Sequence, residues 1–165
     1  MATENKKLDT LTQNIKFDFT AKYFTEDTVF EFDSLIKVDA SLFKTDSLIE
    51  VNASLFNRNS DTVYFLHSTC NGSQFLLQYD LTKFNLSPIE SCNASWVVVE
   101  KIAPKSKFNF QGYLTNKTRE TKINLCFDFY RVDKSFDFSK IKLQDIHRTR
   151  SKQNLICANE KVIQK

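Results

Sequence analysis

Four cysteines, Cys70, Cys92, Cys126 and Cys157, and two histidines, His67 and His147, are the side chains best suited to act as nucleophiles, bases or soft metal ligands. Their spacing argues against all three roles. No CxxC or HExxH pattern occurs, so a zinc site would have to be assembled from scattered residues. His67 and Cys70 are close in sequence, but three residues apart on a strand places them on opposite faces, where the imidazole cannot readily take the thiol proton. His147 with Asp145 and a serine is a grouping that any polar segment supplies by chance, and no paired carboxylates stand apart from the ordinary solvent face of strands. Phosphate-cradling loops need several glycines, whereas Gly72 and Gly112 stand alone. No catalytic, metal-binding or cofactor-binding residue is assigned, and the chain is not expected to be an enzyme.

The remaining chemistry is pairing and charge. Four cysteines can pair in three ways. Cys70 closes a strand beside the Asn71-Gly72 turn, and Cys92 follows 22 residues later, after a strand that returns and a segment that climbs again. That path could bring Cys70 and Cys92 together, and they are the candidate disulfide in an oxidising compartment. Cys126 and Cys157 fall in the last two long strands and are expected as buried thiols rather than a bridge. The net charge is only +3, but residues 134–165 carry eight basic and three acidic side chains. Lys140, Lys142, His147, Arg148, Arg150 and Lys152 form the one charge cluster with a direction, a candidate interaction surface for a protein or an acidic polymer. It has no interleaved aromatics, so nucleic acid is not the expected partner. A solvated loop and helix face accounts for the same residues.

These residues must be carried by strands. Phenylalanine occurs 16 times, glycine and proline twice each, and five Phe-polar-Phe triplets recur: Phe17-Asp-Phe19, Phe30-Glu-Phe32, Phe108-Asn-Phe110, Phe127-Asp-Phe129 and Phe136-Asp-Phe138. Alternation at period two puts both rings on one face and the polar residue on the other, the mark of a half-buried strand. Extended, it predicts strands near 14–23, 28–32, 35–43, 48–56, 62–68, 74–79, 89–92, 96–102, 107–114, 121–132 and 154–163. Clusters such as Asn57-Arg-Asn-Ser-Asp61 and Asn116-Lys-Thr118 lie between them. Asn and Asp are expected to take the left-handed turn positions that glycine would fill. One short helix is expected around Phe138 to Arg148. The fold class is therefore all-β, an antiparallel sandwich, with a polar head at 1–13 and a single domain at 14–165.

A tandem repeat stands inside this pattern. Asp33-Ser-Leu-Ile-Lys-Val-Asp-Ala-Ser-Leu-Phe43 returns thirteen residues later as Asp46-Ser-Leu-Ile-Glu-Val-Asn-Ala-Ser-Leu-Phe56, with nine matching positions. Each copy reads as one strand, with a break required at Lys44-Thr-Asp46. A local duplication that built a hairpin accounts for it; the sharper reading is two strands competing for one slot in the sheet. Five Asn-X-Ser/Thr matches occur, at Asn52, Asn71, Asn85, Asn93 and Asn116; a chain this rich in Asn, Ser and Thr is expected to supply two or more by chance, so they are weak evidence of a secretory origin. The longest wholly apolar run is Trp96 to Val99, far below the ~20 residues of a membrane span. The first residues lack the apolar core of a secretory leader, which leaves the cytoplasm, or the cell surface or periplasm if a leader was removed.

The run Asn52-Ala-Ser-Leu-Phe-Asn57-Arg-Asn-Ser-Asp-Thr-Val63-Tyr-Phe-Leu66 resembles the first strands of small bacterial immunoglobulin-like domains. Ile102-Ala-Pro104-Lys-Ser-Lys-Phe108 resembles their proline-led return, and Asn154-Leu-Ile-Cys-Ala-Asn159-Glu their closing strand. The resemblance spans roughly Leu48 to Ile163 and extends loosely to the intracellular proteinase inhibitor type, whose glycine-containing turns are absent here. The Cys-Trp-Cys pattern of antibody domains is not matched at Trp96. What the resemblance implies is an immunoglobulin-like sandwich, not an activity. The expected function is a noncatalytic binding or interaction module; the alternative is a protease inhibitor that presents an end loop.

Overall fold

A computed structural model describes residues 12–24, 47–68, 76–87, 97–135 and 155–165. They form twelve strands: β1 (Ile15–Tyr23), β2 (Leu48–Asn57), β3 (Val63–Ser68), β4 (Leu77–Gln78), β5 (Phe84–Leu86), β6 (Val97–Ile102), β7 (Lys107–Asn116), β8 (Lys122–Ile123), β9 (Cys126–Asp128), β10 (Tyr130–Val132), β11 (Leu155–Cys157) and β12 (Lys161–Val162). The protein is all-β with antiparallel pairing. The sheets run β1-β2-β7-β5, β10-β3-β6, β11-β9-β4 and β12-β8. A lone parallel bridge joins Lys22 to Gln164.

Strand alternation does the expected work in β1, where Ile15, Phe17, Phe19 and Ala21 are buried and the intervening residues are not. In β2, Ile49, Val51, Ala53 and Leu55 point the same way. Phe65 and Phe127 from the other sheets meet this face, so the sheets share one core rather than each covering its own. Each buried ring contributes about 1.5–3 kcal/mol by leaving water. The triplet at Phe127-Asp-Phe129 departs from the pattern, because both rings and Asp128 are all buried. Here the chain leaves one sheet for another: β9 pairs with β11 and β4, whereas β10 pairs with β3. Asp128 therefore faces no solvent layer, and its Oδ2 accepts from the Tyr130 hydroxyl at 3.3 Å. The single strand expected over 121–132 is for the same reason three short ones.

Two crossings between sheets lie side by side, β2 to β3 and β6 to β7. Asn57 ties them together. Its side chain is completely buried, and Nδ2 donates to the carbonyls of Asp61 at 2.9 Å and Ile102 at 2.9 Å. Oδ1 accepts from the Asn59 backbone at 3.0 Å and from Asn59 Nδ2 at 2.8 Å. Asn116 repeats the device at the end of β7, donating to the Tyr23 hydroxyl at 2.8 Å and the Glu120 carbonyl at 2.7 Å. Asparagine thus serves these turns by bonding their backbones with its side chain, not by taking the left-handed conformation expected of it. Among the described residues the left-handed positions fall instead to Lys105 (φ 56°) and Arg119 (φ 58°). Lys105 follows Pro104 in a turn closed by Ser106 N–H donating to the Ala103 carbonyl at 3.2 Å, and a type II turn requires positive φ at that place.

The strand expectations at 28–32, 35–43 and 89–92, the helix at Phe138 to Arg148 and the first repeat copy lie outside the described residues. β5 was not foreseen from the sequence. It is a three-residue strand paired to β7 through Phe84 opposite Asn116, too short for a periodic signal.

Candidate functional site

Because the inward face of β1, β2 and β7 is consumed by the core, their alternate residues form an outward face. Register sets them in rows: Asp18, Ser54 and Asn109 in one, Thr20, Asn52 and Gln111 in the next. All six are short or amide side chains, so the sheet surface is depressed into an open trough of about 510 Å³. The backbone at Phe19, Ala53 and Phe110 forms its floor and Lys161 of β12 stands at its rim. Beyond it Lys22, Glu50 and Tyr113 form a further row, and Tyr113 joins Phe24 and Leu48 in a small apolar cluster separate from the main core.

A line of polar contacts runs from the trough into that further row. Gln111 Nε2 donates to Asn52 Oδ1 at 3.0 Å, Asn52 Nδ2 donates to Glu50 Oε1 at 2.7 Å, and Glu50 Oε2 pairs with Lys22 Nζ at 3.2 Å. Asp18 carries the one carboxylate of the trough, and Lys161 Nζ lies 3.0 Å from its Oδ1. The hydrogen bond from Lys161 holds its carboxyl below the usual range against the opposing effect of burial, helped by the N–H of Phe19. Asp18 is thus neutralised in place and poorly suited to take a proton. Among the described residues, the side chains of Thr20, Ser54 and Asn109 have no hydrogen-bonding partner in the protein. The arrangement can bind through hydroxyls and amides. It offers no nucleophile with a base beside it.

The residues singled out by chemistry are distributed elsewhere. Cys70 and Cys92, and with them Lys140, Lys142, His147, Arg148, Arg150 and Lys152, lie outside the described residues. His67 packs on the Phe65 and Phe108 rings at centroid separations of 5.9 and 5.6 Å, and its Nε2 is 3.7 Å from Glu100 Oε2. No group of three His, Cys, Asp or Glu side chains that could hold a metal occurs among the described residues.

One expectation is overturned. Cys126 and Cys157 are not buried thiols but a disulfide. They stand directly opposite each other on antiparallel β9 and β11, where neighbouring side chains lie within bonding reach, and Cys157 is exposed. The strand expected over 154–163 is two short strands, which pair with different partners, and the register of the first sets Cys157 opposite Cys126.

Structure also sorts the glycosylation patterns. Asn116 is buried and hydrogen-bonded, Asn52 is half-buried and wired to Glu50, and Asn85 is exposed on β5. Sequence reasoning missed the trough, although its signal was present as the outward positions of three alternating strands. Those positions become one surface only when register places them in rows.

No protein-family model matches the chain. No curated protein matches it either. Among solved structures it is similar to the X-ray structure of Northeast Structural Genomics Consortium target SoR45, with a TM-score of 0.42 and 8% sequence identity over 94% of this chain and 89% of that one. No helix among the described residues is long and apolar enough to cross a membrane.

Proposed function

We propose that the chain is a noncatalytic binding module of immunoglobulin-like sandwich type, working in an oxidising compartment, and that its trough takes a neutral, hydroxyl-rich ligand such as an oligosaccharide. The observation that carries this reading is the set of uncommitted groups on Thr20, Ser54 and Asn109, held outward by strands whose other face is fixed in the core. Groups preorganised on a sheet lose little entropy when a ligand arrives. Hydroxyls and amides both donate and accept, which matches a polyol better than an anion. The trough's one ammonium, on Lys161, is already matched by Asp18. An acidic polymer would meet no unbalanced positive charge there. The exposed Cys126–Cys157 bridge supports the compartment, since such bonds persist where thiols are not kept reduced. Among the described residues the corners at Asn57 and Asn116 are drawn inward by buried amides and do not favour the inhibitor reading.

The test is affinity for a panel of neutral oligosaccharides, measured by calorimetry for the natural chain and for Thr20→Lys and Asn109→Lys. Each variant is expected to lose at least about tenfold in affinity, the worth of one or two hydrogen bonds. Unchanged oligosaccharide binding in both variants would overturn the site. So would retention on polyanions alone, lost steeply with added salt.

A further inference from the structure

β2 is an inner strand of its sheet, with β1 on one side and β7 on the other. Its core-facing residues Ile49, Val51, Ala53 and Leu55 are buried, three of them with no exposed surface. The sequence offers the same four residue types, in the same order and spacing, thirteen positions earlier as Ile36, Val38, Ala40 and Leu42. Hydrophobic burial is non-directional and cannot distinguish the two sets. Yet the register seats the second copy, from Ile15 opposite Asn57 to Tyr23 opposite Ile49. The choice must be made where the copies differ: Glu50 against Lys37, Asn52 against Asp39, and Asn57 against Lys44, the residue after each copy.

We propose that Asn57, assisted by Glu50, selects the second repeat for the inner strand, and that Lys44 and Lys37 disqualify the first. Asn57 acts at a completely buried position, where Nδ2 reaches the carbonyls of Asp61, Ile102 and Ala103 and Oδ1 receives two donors from Asn59. A lysine there has donors for the Ile102 and Ala103 carbonyls but no acceptor, so the backbone donor of the turn that follows it would go unmet. It would also bring a charge into a site described by carbonyls and no carboxylate. At the second position Glu50 is buried and pairs with Lys22 at 3.2 Å. Lys37 in its place would set two ammonium groups against each other. The third difference favours the same copy, since Asp39 could accept from Gln111 as Asn52 does but could not donate to a carboxylate at the Glu50 position. Selection thus rests on polar groups while the apolar core permits either copy, and it is independent of what the trough binds.

Lys37→Glu with Lys44→Asn gives the first copy the two selecting residues and leaves every residue of the folded slot untouched, so folding is not at risk. Occupancy is read with a short thiol-specific cross-linker and peptide mass mapping. Thr20→Cys is combined with Asn52→Cys to report the second copy in the slot, and with Asp39→Cys to report the first. In the otherwise natural chain, 20–52 product is expected and 20–39 product is not. In the Lys37→Glu, Lys44→Asn background the 20–39 yield is expected to rise at least about tenfold, as the two occupants approach equal weight. A 20–39 yield no higher than in the natural chain would overturn the proposal. So would abundant 20–39 product before any selecting residue is changed.

Discussion

Phe65 is enclosed by the rings of Phe108, Phe127 and Phe129 at centroid separations of 5.2, 6.4 and 5.1 Å, and none of its surface reaches solvent. Residues 155–165 are held quite differently. They bury Ile163 and half-bury Ile156, leave Leu155 and Val162 exposed, and pair through strands of only three and two residues. Their attachment is local: the Cys126–Cys157 bridge, the ion pairs of Lys161 with Asp18 and Glu160 with Lys122, and backbone bonds from Ile163 to Thr121 and between Gln164 and Ala21. A region with a large apolar face is fixed by burial, and one without such a face needs a covalent or polar tie at each step. The distinction matters for the trough, since Lys161 belongs to the tied region and Thr20, Asn52 and Gln111 to the buried one.

Three perturbations test that contrast. The largest effect is expected for Phe65→Ala, about 3–5 kcal/mol of global stability by denaturant unfolding, since a ring surrounded by rings leaves a cavity its neighbours cannot fill. A loss below about 1 kcal/mol would mean the aromatic cluster is not the anchor. Next comes Cys126→Ser with Cys157→Ser. Opening a link of sequence separation 31 is expected to cost about 2–4 kcal/mol. Amide exchange should accelerate at residues 155–165 while β2 and β7 keep their protection, and equal acceleration in both regions would erase the distinction.

The smallest effect is Lys161→Ala. Asp18 has a lowered pKa, so its ion pair stabilises the fold above the unfolded carboxyl value, near 3.8, and the contribution is lost as pH falls through the lower folded value. Asp18 is nearly half exposed, which limits the pair to less than about 1 kcal/mol. The stability difference between natural chain and variant should therefore be present at pH 6 and shrink toward pH 2. A difference that does not change across that range would assign the effect to packing instead.

How much of this was legible depends on distance along the chain. β1, β2, β3, β6 and β7 follow the alternation within a residue or two, because their apolar sets are long enough to define a face. The segments after Thr121 were harder. Phe127, Asp128 and Phe129 read as an ordinary half-buried strand, but the chain changes sheets there and buries all three. The bridge of Cys126 to Cys157 was hidden for a related reason, since two cysteines in neighbouring strands bond only if register sets them opposite. Asn57 and Asn116 were recognisable as turn residues. That their amides would be buried and tie together segments more than forty residues apart in sequence, Asn57 to the Ile102 carbonyl and Asn116 to the Tyr23 hydroxyl, was not written locally.

The sequence by itself determined that this is a β protein and which residues of its long strands face inward. Those properties follow from side-chain alternation and residue type, both of which act over a few neighbours. Tertiary structure alone decided that the second of two nearly identical segments sits inside the first sheet, that Cys126 meets Cys157, and that three separate sets of outward polar residues become one trough. Each of these is a matter of register between distant segments, where a shift of one residue turns a face over and apolar burial often scores the alternatives alike. The deciding terms are then a few polar groups, chiefly Asn57 and Glu50, whose value depends on partners that only the folded chain brings near.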